Sequence, residues 1–202
     1  MNYKFTKAEL LDILDRIIKF IHSCDTKASI ILGIIGVSLI VFFTGGGIDN
    51  IKFIIINTYL LLPSCINIVC FIFLLLKIIL SFILIVSGII YILLVLYPKT
   101  DKSLFQQEGL DSGSIIFFGT IAEKDFNKCR KYLQYKDKLL NTTAENYEND
   151  IISQIYINGG ICHKKHENFK RGCKLTFIGA ILTILLLILG NLVIWIMQSS
   201  GN

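Results

Sequence analysis

The chain has 202 residues, a formal net charge of +5, 53% hydrophobic residues and a mean hydropathy of +0.65. A water-soluble domain of this length does not need so much apolar surface, and several long uncharged runs place the chain among polytopic membrane proteins. The positive charge is too diffuse for a nucleic-acid surface and suits anionic lipid or an anionic ligand.

Residues 1–27 are expected to form a cytosolic amphipathic helix. Thr6 and Glu9 have the spacing of a capping box, with Thr6 as N-cap. Leu10, Leu14, Ile17, Ile18 and Ile21 make the apolar face, while Asp12, Asp15, Arg16 and Lys19 occupy the other. That mixed-charge face favours docking on other polar helices over lying on lipid headgroups. The stretch carries acidic as well as basic residues, so Ala28 to Ile48, 21 residues without charge, reads as a retained span and not as a cleaved leader. Ser29, Gly33 and Val37 put small residues on one face of it, which allows a close helix approach there. Gly45-Gly46-Gly47 ends the span.

Residues 28–98 are expected to form a transmembrane hairpin. Its second crossing is Ile78 to Pro98, and 53–76, interrupted by Pro63 and Asn67, lies in the interface or re-enters. Charge supports that division. Thirteen of the twenty Lys and Arg residues lie between Lys99 and Lys174 and five precede Ala28, so both regions belong in the cytoplasm with an even number of crossings between them. Lys77 then snorkels at the outer face.

Residues 99–173 are the polar module. An extended segment spans Ser112 to Ala122, a helix runs from about Glu123 to Leu140, and a turn covers Asn141 to Thr143. A long helix begins near Ala144 and passes straight into the last span, residues 174–197, of which Leu175 to Met197 are 23 residues without charge. Gly159-Gly160 is its one local weakness. The fold class is therefore all-α, with three membrane crossings (four if 53–76 also crosses) and a small, mainly helical cytosolic module.

Gln154, Asn158 and Lys165 fall at i, i+4 and i+11, one stripe of that helix, with Ile151 and Ile161 beside them. Such a stripe is either a satisfied polar seam between helices or the wall of a ligand site. Asp25 and Lys27, at the mouth of the first span, either set its orientation or contact the module and its ligand. Phe117 and Phe118, followed by Gly119, serve core packing or base stacking. Cys162, His163, His166 and Cys173 have no zinc-site spacing, and no metal or cofactor is expected. The six cysteines show no disulfide framework. No nucleophile triad, P-loop or dinucleotide motif is present, so no enzymatic activity is expected.

Three phrases carry a resemblance: Asp25-Thr-Lys-Ala-Ser-Ile-Ile-Leu-Gly33, Ile115-Ile-Phe-Phe-Gly-Thr-Ile-Ala122, and Ser153-Gln-Ile-Tyr-Ile-Asn158 followed by Ile161 and Lys165. In this order, with a span after the first and the last, the chain resembles the transmembrane effectors of the Pycsar anti-phage defence system. The resemblance implies a partner cyclase that makes cyclic CMP (cCMP) or cyclic UMP (cUMP) on infection. It implies an effector, with a homo-oligomer expected, that senses the nucleotide and impairs the bacterial inner membrane, aborting the infection. On that reading Lys165 meets the phosphate and Gln154 and Asn158 the base or ribose. The competing classes are a constitutive small channel or transporter subunit, which needs polar groups along its spans, and a membrane scaffold that binds no nucleotide. Thr183, Asn191, Asn57 and Asn67 are the few polar groups that a pathway would use.

The charge distribution puts the N-terminus inside and the C-terminus outside. A cysteine placed at Ser200 should react with an impermeant maleimide from outside intact cells, and Cys129 should not. Labelling of Cys129 would place an odd number of crossings before Lys99.

Overall fold

The computed structural model describes residues 5–61, 64–98, 114–117, 121 and 130–200. Among them lie five helices and no strand: α1 (Lys7–Thr44), α2 (Gly47–Leu61), α3 (Ser64–Leu96), α4 (Arg130–Leu140) and α5 (Ala144–Ser200). The expected all-α membrane protein is what the chain forms. Three helices are long and apolar enough to cross a membrane, at Lys7–Thr44, Phe71–Leu96 and Ala144–Ile196. The chain divides into two compact units, one of Met1–Asp25 with Tyr97–His166 and one of Thr26–Leu96 with Glu167–Asn202.

The first unit holds the start of α1, the 114–117 segment, α4 and the first part of α5. The capping box forms as expected. Glu9 Oε2 accepts from Thr6 N at 2.7 Å and from Thr6 Oγ1 at 2.8 Å, and Glu9 N donates to Thr6 Oγ1 at 3.4 Å. Two unpaired donors of the first turn are thereby satisfied. Leu10 and Leu14 pack against fully buried Ile151 of α5, with Ile116, Tyr147 and Ile155 around them. Lys7 Nζ sits 4.4 Å from the Tyr147 ring centroid. Ile17 and Ile21 continue the face half-buried and Cys24 continues it buried, at alternating steps of three and four, whereas Ile18 falls outside it at 38% exposure. The ion pairs Arg16–Asp12 and Lys19–Asp15 are exposed and contribute little.

The turn at 141–143 separates α4 from α5. Thr143 Oγ1 accepts from Asn146 N at 3.2 Å and caps α5. From there α5 runs unbroken for 57 residues, about 85 Å at 1.5 Å per residue. Gly159 and Gly160 lie within it, and a Cβ at either would meet nothing within 4 Å. The helix tolerates the pair because backbone hydrogen bonding, unlike propensity, does not depend on a side chain.

The second unit holds the rest of α1, all of α2 and α3, and the end of α5. Gly46, with φ of 77°, turns the chain between α1 and α2 in a conformation that side chains resist. Helix α2 has 15 residues, about 22 Å, and is too short for a hydrocarbon core of about 30 Å. The expected interfacial segment 53–76 is therefore not one element: it divides between α2 and α3. Lys77 does not begin the second long helix; it lies inside α3, its Nζ 4.4 Å from the Phe73 ring centroid. A long aliphatic stem suits a helix interior and leaves the ammonium a ring to rest on.

Helices α3 and α5 cross through small residues. A Cβ on Gly172 would lie 2.9 Å from Gly88 O, and one on Gly88 would lie 2.8 Å from Gly172 O. Seven residues away, Ser81 Oγ donates to Gly179 O at 2.8 Å and meets Thr183 Oγ1 at 2.6 Å. The pairing of 88 with 172 and 81 with 179 makes the crossing antiparallel. Helix α2 reaches the same partner further on: Ile54 is fully buried, and a Cβ on Gly190 would lie 2.8 Å from its Cγ2. Asn191 Nδ2 donates to Asn50 Oδ1 at 3.2 Å and to Leu187 O at 2.8 Å. The close approach that the first span allows is not made at Gly33 or Val37 among the described residues. A Cβ on Gly33 meets nothing within 4 Å, and Val37 is 62% exposed. Small residues permit backbone contact only where a neighbour presents an equally small one, and here both members lie on α3 and α5.

Gly172→Val should therefore destabilise the protein by about 1–3 kcal/mol through overpacking. Gly159→Ala should be neutral or stabilising by up to about 1 kcal/mol. Thermal unfolding of both variants in detergent, followed by circular dichroism, checks the contrast.

Candidate functional site

The polar groups of the first unit fall into two clusters on α5. The upper one clamps a short stretch of irregular chain. Ile115 N donates to Asp150 Oδ2 at 2.8 Å, and Ile115 O accepts from Tyr135 Oη of α4 at 3.0 Å. Gln154 Nε2 donates to Ser114 Oγ at 3.2 Å. Ser114 Oγ also accepts from the backbone N–H groups of Ile116 at 3.2 Å and Phe117 at 3.0 Å. Buried backbone outside a helix has to find partners one by one, and α4 and α5 supply them here. Asp150 and Gln154 are 2% and 5% exposed, yet among the described residues Asp150 Oδ1 is buried with no hydrogen-bond partner.

The lower cluster is an ion pair. Lys165 Nζ lies 2.5 Å from Asp25 Oδ1, with side-chain exposures of 7% and 31%. Removing a lysine from water is costly unless a carboxylate and good geometry compensate, and Asp25 provides both from α1. One turn before Lys165, burial pushes the Cys162 thiol up, against the smaller opposing pull of the Lys165 charge. The thiol stays protonated at neutral pH, which makes it a weak nucleophile and a weak metal ligand. Among the described residues no three His, Cys, Asp or Glu side chains are grouped to hold a metal ion.

Sequence pattern and structure agree on the face of α5. Ile151, Asn158 and Lys165 repeat every seven residues, with Ile151 and Lys165 buried and Asn158 half-buried. The structure pairs Lys165 with Asp25 and brings Gln154 to the 114–117 segment, where half-buried Phe117 lies. It does not join the two groups: Gln154 and Lys165 are eleven positions apart, about 16 Å along the helix. Asn158 turns back onto its own helix, its Nδ2 donating to Gln154 O at 2.8 Å, and Lys27 is exposed. Phe118 and Gly119 lie outside the described residues. Asp150, Ser114 and Tyr135 are members that the sequence reading missed. Asp150 stands four residues before Gln154, and that spacing is the signal that points to it; nothing local marks Tyr135.

Polar side chains within the apolar parts are mostly satisfied close to home. Ser38, Asn57 and Thr183 donate to carbonyls one turn back on their own helices at 2.8, 2.8 and 3.0 Å.

Fold and site together define a helical membrane protein in which two of the spanning helices, α1 and α5, also build a polar unit with buried ionisable groups. Comparison with known proteins agrees. The Pycsar effector protein domain family matches residues 9–190. The Pycsar effector protein GmPycTM of Gulbenkiania mobilis is 28% identical over 188 residues, covering 89% of this chain and 90% of that protein. No solved structure matches the chain. The chain belongs to the Pycsar effector family and is a transmembrane effector of anti-phage defence.

Removing Asp25 leaves the buried Lys165 ammonium without its carboxylate, and removing Lys165 takes from Asp25 one of its partners. Lys165→Met and Asp25→Ala should each destabilise the protein by about 3 kcal/mol, the low end for a buried pair because Asp25 is partly exposed. The exchange Asp25→Lys with Lys165→Asp should recover part of the loss in the same thermal unfolding assay.

Proposed function

We propose that the chain senses a cyclic pyrimidine mononucleotide, cCMP or cUMP, made by a partner cyclase during phage infection, and then impairs the bacterial inner membrane. The polar unit is the sensor and faces the cytoplasm, as does the N-terminus. The observation that carries the reading is that one unbroken helix, α5, bears both the buried polar groups Asp150, Gln154 and Lys165 and an apolar run long enough to cross a bilayer. Family membership supplies the defence context.

The ligand offers a negative phosphate, a ribose and a base. Lys165 is the buried cation suited to the phosphate; standing about 16 Å along α5 from Gln154, it meets the same ligand only when the phosphate exchanges for Asp25 and draws the ammonium toward the clamp. Gln154 and Phe117 serve the base. Nucleotide binding shifts a two-state equilibrium by its differential affinity for the two states. Helix α5 transmits the shift to the membrane unit within a homo-oligomer, through the Gly172 and Gly179 crossings with α3. The channel-subunit reading is less well supported, because Ser38, Asn57 and Thr183 are turned onto carbonyls of their own helices and Ser81 onto a carbonyl of the helix beside it.

Calorimetry on the purified protein in detergent tests the sensing step directly, with cCMP and cUMP as titrants; binding of neither would end the proposal. The transmission step is tested by Gly159→Ala with Gly160→Ala. Stiffening α5 should leave cyclase-dependent membrane depolarisation intact or more sensitive. Loss of depolarisation at normal protein level would make the glycine pair a hinge and remove the rigid-helix mechanism.

A further inference from the structure

The unused oxygen of Asp150 points to the base. Asp150 is 2% exposed, and its Oδ2 is committed to Ile115 N at 2.8 Å. Among the described residues its Oδ1 is buried without a donor. A buried acceptor left unpaired is costly, and a carboxylate oxygen more so. Two neighbouring described donors are directed elsewhere. Tyr135 Oη donates to Ile115 O, and one N–H of the Gln154 amide goes to Ser114 Oγ. The partner that Oδ1 lacks is therefore a donor brought from outside the described residues.

We infer that Asp150 is the base-specificity residue of this effector, and that its Oδ1 accepts the exocyclic 4-amino group of cytosine, making cCMP the ligand. The inference rests on the nucleotide-sensing reading above. Two features favour the amino group over other donors. Oδ1 is recessed, and the exocyclic amine projects beyond the pyrimidine ring, whereas the ring N–H of uracil is flanked on both sides by carbonyl oxygens that an acidic oxygen repels. A carboxylate accepting from cytosine N4 is also the pairing that base-edge geometry favours. Gln154, one helical turn along and 5% exposed, has a second amide N–H for cytosine N3, so an acceptor and a donor stand side by side. The bond of Oδ2 to Ile115 fixes the carboxylate, and Phe117 closes the same short segment, where a ring is suited to stack on a base.

The test uses the full chain in detergent and calorimetric titration with cCMP, cUMP and N4,N4-dimethyl-cCMP, which lacks the amino donors. The parent should bind cCMP at least roughly tenfold more tightly than either of the others. Asp150→Asn is nearly isosteric; its carbonyl keeps the Ile115 bond while its NH2 turns to the base, so the preference should move toward cUMP, whose position 4 is an acceptor. Equal binding of cCMP and its dimethyl derivative by the parent overturns the inference, whether or not the variant folds, and leaves nucleotide sensing standing. So does an unchanged cCMP-to-cUMP ratio in a variant whose helical content and unfolding temperature match the parent. Failure of the parent to bind either natural nucleotide overturns both the inference and the reading beneath it.

Discussion

A helix that passes from water into lipid keeps its backbone paired along its whole length, but what its contact face is made of has to change. Helix α5 does this on a seven-residue repeat. Ile151, Asn158 and Lys165 occupy the repeat in the first unit, and Gly172, Gly179 and Leu186 continue it in the second. In water the face can bury branched apolar groups and a paired charge, because exclusion of solvent drives association. In lipid there is no such drive, so the face is stripped to glycine and the helices meet backbone to backbone. The contacts that α1 makes with α5 in the first unit, at Ile151 and Lys165, and those that α3 makes with it in the second, at Gly172 and Gly179, lie on that repeat.

The period was legible in the sequence because 3.6-residue geometry acts through local spacing: the α1 capping box, the start of α5 and the buried line through Lys165 were all readable from it. Partners were less so. Nothing local says that Lys165 meets Asp25, 140 positions earlier, or that Gly172 meets Gly88 and not a residue of the first span. Small residues on Ser29, Gly33 and Val37 carry the same local signal as those on α3 and α5, and only the three-dimensional pairing separates them. The division of 53–76 into two helices was hidden for a related reason: uncharged residues suit short and long apolar helices equally, so length cannot be read from composition.

The candidate site was half legible. Reading one stripe of α5 found Gln154 and Lys165, both buried. It joined them into a single ligand wall, where the structure shows an ion pair and a clamp on the 114–117 segment about three helical turns apart. The clamp was missed because its logic is that of irregular backbone. Ser114 and Ile115 need partners that no helix of their own provides, and Asp150 and Tyr135 are recruited for that need. For an effector this arrangement has a use. A segment tied to α4 and α5 by three hydrogen bonds, and not by a ladder of secondary structure, is one whose position a small change in its surroundings can bias.

The reach of the ion pair also bears on how the protein is made. Asp25 leaves the ribosome 140 residues before Lys165 does, and Gly88 leaves 84 residues before Gly172. Both close approaches wait for the last span. Until it is synthesised, Asp25 has no Lys165 and the α3 glycines have no partner backbone. The polar unit takes its buried Lys165 from the same final helix. A chain cut short before α5 would then lack the core of its polar unit and its membrane packing together, so that translation itself couples the completeness of one unit to the completeness of the other.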